Sequence, residues 1–216
     1  TKPTPDGLRL SVGYGRHTTE FEVCLVGTFQ AENLLCAIGL AIASGLPFNA
    51  VIGSMSKIVG VRGRMELVGK SQSGARIFVD YAHTPDALRN ALQALRLHIS
   101  GKLTLVFGCG GDRDQGKRTL MGRVGARLSD RTIVTDDNPR NEDAAKIRAD
   151  ILKDCSDAIE IGDRAEAIAF GINQLGDGDA LLIAGKGHET SQILGGRAVD
   201  FDDAAIVRAT IGYQGS

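Results

Sequence analysis

The sequence predicts an α/β protein: a Rossmann-like αβα sandwich over residues 63–216, preceded by an incomplete α/β segment at residues 1–62. Two observations lead there. From Met65 onward, short apolar runs alternate with helical stretches, the pattern of a parallel sheet with crossover helices. Three of those runs are followed at once by loops dense in glycine and charge, GCGGDRDQGKR at 108–118, DDNPR at 136–140 and GKGHE at 185–189. Loops at the carboxyl ends of parallel strands converge on one crevice.

Taken in order, Leu8–Val12 and Phe21–Val26 read as strands separated by a glycine-rich turn around Gly13–Gly15. Gln30–Ser44 reads as a buried helix, and Pro47–Ile58 as a second one. Two strands and two helices are too few to complete a sheet-based domain, so residues 1–62 are expected to be the tail of a larger domain whose earlier part is missing. In the second part, Ile77–Asp80 is a strand, and Thr84 caps a helix with Pro85 in its first turn. Strand Leu103–Phe107, helix Thr119–Leu128 and strand Thr132–Val134 follow, then a helix from Asp143 to Lys153. Ile159–Ile161 leads into an amphipathic helix at Arg164–Gln174, and Leu181–Ala184 is the fifth parallel strand. Arg197–Phe201 reads as a sixth, antiparallel edge strand, and Asp202–Ile211 as the last helix.

Composition narrows the class. A formal charge of −1 over 216 residues gives no electrostatic footprint for nucleic acid or a membrane surface. The 28 glycines exceed the roughly 15 of average usage, and many fall in the three loops. Cys24, Cys36, Cys109 and Cys155 show no paired spacing and read as reduced thiols of a cytoplasmic protein. No signal peptide or membrane span is read, since the longest apolar stretch, around Leu34–Ala43, is too short to cross a bilayer.

The crevice is expected to hold Arg113, Lys117, Arg140 and Lys186 alongside Asp112, Asp137 and Glu189, a set suited to a ligand with both anionic and cationic groups. Gly111–Arg118 nearly fits the phosphate-loop pattern, but Arg118 stands where a Ser or Thr would meet Mg²⁺. An Arg/Lys site for a substrate anion or terminal phosphate is the stronger reading, with a solvated charged turn as the alternative. In Asp137-Asn138-Pro139-Arg140, proline fixes φ while Asn138 and Arg140 can both point at a carboxylate, which an arginine fork binds bidentately. Gly185–Glu189 is either a tight strand-to-helix turn with a solvated Lys186 or a gap that admits a ligand whose ammonium meets Glu189. His188 has no second ligand at metal spacing, so no metal is assigned there. Asp80 and Thr84 either cap the following helix or, with His83, contact ribose or phosphate. Arg64 is either an interdomain ion-pair residue or a nucleotide contact, and His17 and His98 read as surface residues.

Together GTFQAENLL at 27–35, GRME at 63–66, DYAHTPDAL at 80–88 and the three loops resemble the Mur ligase family, with all six motifs in family order. Within it the DNPR loop is the mark of the members that use diaminopimelate. The resemblance implies an ATP-dependent amide ligase of cell-wall peptidoglycan precursor synthesis, cytoplasmic and monomeric. Such a ligase adds meso-diaminopimelate to UDP-N-acetylmuramoyl-L-alanyl-D-glutamate through an acyl phosphate. A lysine-adding or folate-directed relative, or a non-catalytic small-molecule-binding module, is the alternative.

Carried over by motif, Asn33 would contact adenine, and Arg64, Asp80 and His83 would lie along ribose and phosphates. Lys117 would approach the transferring phosphoryl group, making it and His83 the catalytic candidates. Arg113, Asp137, Asn138, Arg140, the Gly185 carbonyl and Glu189 would hold diaminopimelate. Residues 1–62 would be the end of the family's central ATP-binding domain, and 63–216 its amino-acid-binding domain. The family's GTxGKT-type loop, Mg²⁺ ligands and modified lysine have no counterpart in this sequence, so the chain alone is expected to be inactive.

Overall fold

The computed structural model describes residues 1–4 and 6–212. They divide into two compact units, Thr1–Val61 with Ala94–His98, and Arg62–Gln93 with Ile99 onward.

In the first unit, β1 (Lys2–Thr4), β2 (Gly7–Tyr14) and β3 (His17–Val23) form an antiparallel meander. Along β2, Leu8 and Leu10 are buried while Arg9 and Ser11 face solvent, the period of two of a half-buried strand. Helices α1 (Phe29–Ala43) and α2 (Phe48–Met55) supply Leu34, Ile38, Val51, Ile52 and Met55 to the same core. The structure corrects several expectations here. The second strand ends at Val23, and the turn lies at Gly15-Arg16, with Gly15 in the left-handed region at φ 61°. Helix α1 is only half-buried: Leu34 and Ile38 point inward, but Leu40 is 71% exposed. His98 is buried rather than on the surface. Its Nε2 accepts from Gly27 N (3.2 Å), which leaves Nδ1 to donate to Thr4 O (2.8 Å).

The second unit is built on a six-stranded sheet: β4 (Glu66–Lys70), β5 (Arg76–Asp80), β6 (Leu103–Phe107), β7 (Arg131–Val134), β8 (Ile159–Glu160) and β9 (Ala180–Ala184). Their order is β4-β5-β9-β6-β7-β8, with β4 antiparallel and the rest parallel. Helices α3 (Pro85–Arg96), α4 (Gly116–Leu128), α5 (Ala144–Leu152), α6 (Arg164–Asn173) and α7 (Asp203–Thr210) connect or follow the strands. Strands β5, β6 and β9 are buried on nearly every residue, as expected for a parallel sheet covered on both faces. Ile77, Val79, Val106, Ile133, Leu181 and Ile183 pack against Ala167, Ile168 and Ile172 of α6 and Ala204 and Val207 of α7.

Arg197–Asp200 (β11) is not an edge of this sheet. It pairs with β10 (Ser191–Leu194) in a separate antiparallel hairpin. The antiparallel edge is β4, whose residues Glu66–Lys70 carry too few apolar side chains to read as a strand. GKGHE therefore leads into a hairpin rather than a helix. No helix among the described residues is long and apolar enough to cross a membrane.

Candidate functional site

The parallel register sets the geometry. Asp80, Ala184, Phe107, Val134 and Glu160 stand side by side across the five strands, so the five following loops leave the sheet at one level. Insertion of β9 between β5 and β6 places the loop after β9 between those that follow β5 and β6. Residues 63–65 approach the 185–189 loop so closely that a side chain on Gly63 (φ 68°) would overlap the His188 amide.

The DDNPR loop is the most constrained part. Asn138 (φ 41°) and Arg140 (φ 52°) both lie in the left-handed region, unusual for arginine and costing about 1–2 kcal/mol per residue. Tertiary hydrogen bonds hold them there. Arg140 N donates to Ile193 O (3.0 Å), Gly195 N to Arg140 O (2.8 Å) and Gly111 N to Asn138 O (3.0 Å). Asn138 Oδ1 accepts from Ile193 N (2.9 Å) and Lys186 Nζ (3.1 Å), and its Nδ2 donates to Glu189 Oε2 (2.8 Å). One amide N–H of Asn138 is left for a ligand.

Lys186 corrects two expectations. It is neither a solvated turn residue nor a cation lining the crevice: its side chain is 0% exposed. Its ammonium donates to Ser191 O (2.6 Å), Asn138 Oδ1 (3.1 Å) and Glu189 Oε2 (3.4 Å), which uses all three donors. Burying an ammonium is tolerable only with such complete pairing. Glu189 keeps Oε1 without a protein donor among the described residues.

Asp137 is 7% exposed and accepts no hydrogen bond among the described residues, and its Oδ2 fills the space a Cβ on Gly185 (φ 115°) would need. Burial pushes its carboxyl above the ordinary aspartate range, opposed by the charges of Arg164 and Lys186.

The remaining cations sort into two kinds. Arg118, Arg148 and Arg164 are ion-paired: Arg118 with Glu142 (2.8 Å) and Asp150 (3.1 Å), Arg148 with Asp136 and Glu160, Arg164 with Asp203 (2.7 Å). Arg64, Arg113, Lys117 and Arg140 have no carboxylate partner among the described residues. Arg140 Nη1 donates only to the carbonyls of Gly111 (2.9 Å) and Asn138 (3.3 Å), and Gly110 lies against both Arg140 and Arg113. Lys117 Nζ donates to His83 O (2.8 Å), and Arg64 lies over the Tyr81 ring at 4.7 Å. Tyr81 also touches the rings of His83 (4.6 Å) and His188 (5.3 Å).

Asp80 spends both oxygens on backbone, accepting from Met65 N (2.7 Å) and Ala82 N (2.8 Å), and so ties the 63–65 loop to the end of β5. Burial raises its pKa, while those two N–H groups and the Arg64 charge pull it back down. Thr84 Oγ1 accepts from Ala87 N (3.3 Å), the expected cap. Asn33 lies in the first unit, exposed on α1, with its amide donating to Gln30 Oε1 (3.1 Å). The phosphate-loop likeness ends at Arg118, which is buried between two carboxylates where a hydroxyl would be needed. Cys109 is likewise core, its thiol packed on Met121 Sδ (3.6 Å) and pushed up to about 12 by burial.

Sequence reasoning missed three contributors. Tyr81 follows directly on a strand end and could have been flagged by position. Glu142 accepts from Asp112 N (2.6 Å) as well as from Arg118, and so fastens the 112–114 loop to the DDNPR loop. Arg164 opens a helix, where a cation opposes the helix dipole, and that oddity was a readable signal.

Among the described residues, no three His, Cys, Asp or Glu side chains are grouped to hold a metal ion, so these residues do not by themselves fit a Mg²⁺ site.

The family profile described as Mur ligase, glutamate ligase domain, matches residues 63–187, more than half of the chain. A UDP-N-acetylmuramoyl-L-alanyl-D-glutamate–2,6-diaminopimelate ligase of Bradyrhizobium diazoefficiens is 53% identical over 187 residues, covering 87% of this chain and 38% of its own length. The enzyme of that name from Agrobacterium fabrum is 51% identical over 192 residues, covering 89% of this chain and 39% of its own. A solved structure of such a ligase superposes with a TM-score of 0.76 at 40% identity, over 98% of this chain and 44% of that one. The chain thus spans well under half the length of the relatives it matches.

Proposed function

The chain belongs to the Mur ligase family, and from that premise we propose that it carries the amino-acid-binding part of a diaminopimelate-adding ligase of peptidoglycan precursor synthesis. The observation that carries the reading is the pairing pattern around the DDNPR loop. Arg140 is held in a strained backbone with no carboxylate partner, beside Arg113, while Asp137 and the free oxygen of Glu189 face the same loops. Two unpaired cations and two carboxylates with open acceptors suit an amino acid with an additional carboxylate, as meso-diaminopimelate has relative to lysine. An arginine left unpaired by lysine loses charge-assisted hydrogen bonds that diaminopimelate supplies, which is how such a site discriminates.

Arg113, Asp137, Asn138, Arg140, Gly185 and Glu189 are the residues assigned to that ligand. Residues 63–216 are assigned as the amino-acid-binding domain. The unpaired cations Arg64 and Lys117, next to Tyr81 and His83, fit the phosphates of ATP, whose chemistry is to supply the phosphoryl group that activates a carboxylate. Lys117 and Arg64 would hold negative charge there, and His83, through its carbonyl, fixes the Lys117 ammonium. Asp80 acts by pinning the loop that carries Arg64. For Asn33 the motif resemblance alone speaks. UDP-N-acetylmuramoyl-L-alanyl-D-glutamate would be the acceptor of the whole ligase, and Mg²⁺ would be held by residues other than those described.

Calorimetric titration of the chain with meso-diaminopimelate and with L-lysine tests the reading. Heat of binding with the first and none with the second, lost in Arg140→Ala, is the expected result. Equal affinity for lysine would remove the specificity claim.

A further inference from the structure

We infer that the buried Arg164–Asp203 pair is a positioning device for the amino-acid site, fixing the peptide units that carry Gly185 and Asp137; this rests on the reading of the crevice proposed above. Arg164 is the first residue of α6 and Asp203 the first of α7, and both side chains are 0% exposed. Arg164 Nε donates to Asp203 Oδ1 (2.7 Å) and Nη2 to Oδ2 (2.8 Å), a bidentate fork. The same Nη2 donates to Ala184 O (3.0 Å), and Nη1 reaches Asp136 O (3.4 Å). Ala184 is the last residue of β9 and precedes Gly185, and Asp136 precedes Asp137. One guanidinium therefore joins the two loops at the residues just before their ligand-facing groups.

Stability alone does not account for this arrangement. A buried ion pair is costly to desolvate, and an apolar pair of similar volume often holds two helices as well or better. An arginine in a helix's first turn also opposes the helix dipole. What an apolar pair cannot do is donate to the carbonyls of Ala184 and Asp136. The charges that act on Asp137 are those of Arg164, Lys186, Asp203 and Glu189. With Asp137 itself they sum to a single negative charge, which suits a ligand ammonium. Replacing Arg164 and Asp203 together leaves that sum unchanged, so the replacement removes the tether without altering the charge.

The double variant Arg164→Met/Asp203→Leu of the 216-residue chain is the test, with Arg164→Lys as a second variant that keeps the ion pair but loses the fork. Two readouts are taken: amide hydrogen exchange of the free protein, and affinity for meso-diaminopimelate. The melting temperature is expected to hold in the double variant. Exchange at the Gly185 and Arg140 amides should quicken roughly tenfold or more, while the centre of β6 stays protected. Affinity should fall roughly tenfold or more, a loss of at least about 1.4 kcal/mol. Arg164→Lys should show the same loosening, and decides the matter should the double variant not fold. Exchange at both amides and affinity unchanged from the parent would overturn the inference. Failure of the parent chain itself to bind meso-diaminopimelate counts against the functional reading instead, and the exchange measurement still decides the role of Arg164.

Discussion

The wall of the crevice and its rim are built on opposite principles. In the wall, residues 137–140 and 185–194, two polar side chains are spent almost wholly on the protein: Lys186 uses all its donors, and Asn138 three of its four bonds. On the rim, Arg64, Arg113 and Lys117 are exposed or half-exposed and have no carboxylate partner among the described residues. The wall invests in shape, holding two left-handed residues in place before a ligand arrives, so less ordering entropy is lost on binding. The rim invests in charge, leaving cations available to whatever anion enters. A substitution of Lys186 or Asn138 should therefore register first as lost stability, and one on the rim as lost affinity.

The largest effect is expected from Asn138→Ala. It strips Lys186 and the Ile193 amide of an acceptor, at about 1–3 kcal/mol for each buried group left unsatisfied. It also places alanine at φ 41°, where asparagine is better tolerated. Chemical denaturation should show about 3–5 kcal/mol of lost stability, and a loss within about 0.5 kcal/mol would break the distinction. Arg113→Ala is the counterpart on the rim. Its stability should stay within about 0.5 kcal/mol of the parent, while affinity for meso-diaminopimelate falls roughly tenfold by calorimetry, the worth of about one charge-assisted hydrogen bond.

The same contrast explains what was readable in advance. Arg113 and Lys117 could be read as available cations because they sit in a glycine-rich loop after an apolar strand, and they are exposed or half-exposed there. Strands β6 and β9 were legible as unbroken apolar runs, and the cap at Thr84 as a side chain with a mechanism. Within the wall, Lys186 and the hairpin were misread because their chemistry is tertiary. Lys186 carries the composition of a solvated turn, and only the approach of Asn138, Glu189 and the Ser191 carbonyl makes its burial possible. Nor could spacing reveal that 191–200 folds back as a hairpin. Its four-residue strands alternate weakly, and what holds the hairpin to the wall is the backbone of Arg140 pairing with Ile193 and Gly195. Arg164 was given no role beyond opening an amphipathic helix, since its partner lies 39 residues away.

The smallest expected effects are also the ones that sharpen the comparison most, because wall and tether titrate in opposite directions. Asp137 belongs to the wall, and burial raises its carboxyl above its unfolded value. The folded state therefore holds the proton more tightly than the unfolded one. The stability this contributes is fully present below the ordinary aspartate range and is lost as pH rises through the raised folded value. Glu142 ties rim to wall. Its hydrogen bond from Arg118, and then the one from Asp112 N, hold its carboxyl below the ordinary range. Its contribution is present above the unfolded glutamate value and is lost as pH falls through the lowered folded one. Melting curves across the acidic range should then diverge by variant. Asp137→Asn should gain on the parent as pH rises, levelling once the parent's Asp137 is ionised. Glu142→Gln should trail the parent near neutrality and rejoin it in acid. If both variants followed the parent in parallel, neither carboxyl would be coupled to folding, and the wall would owe its rigidity to hydrogen bonds alone.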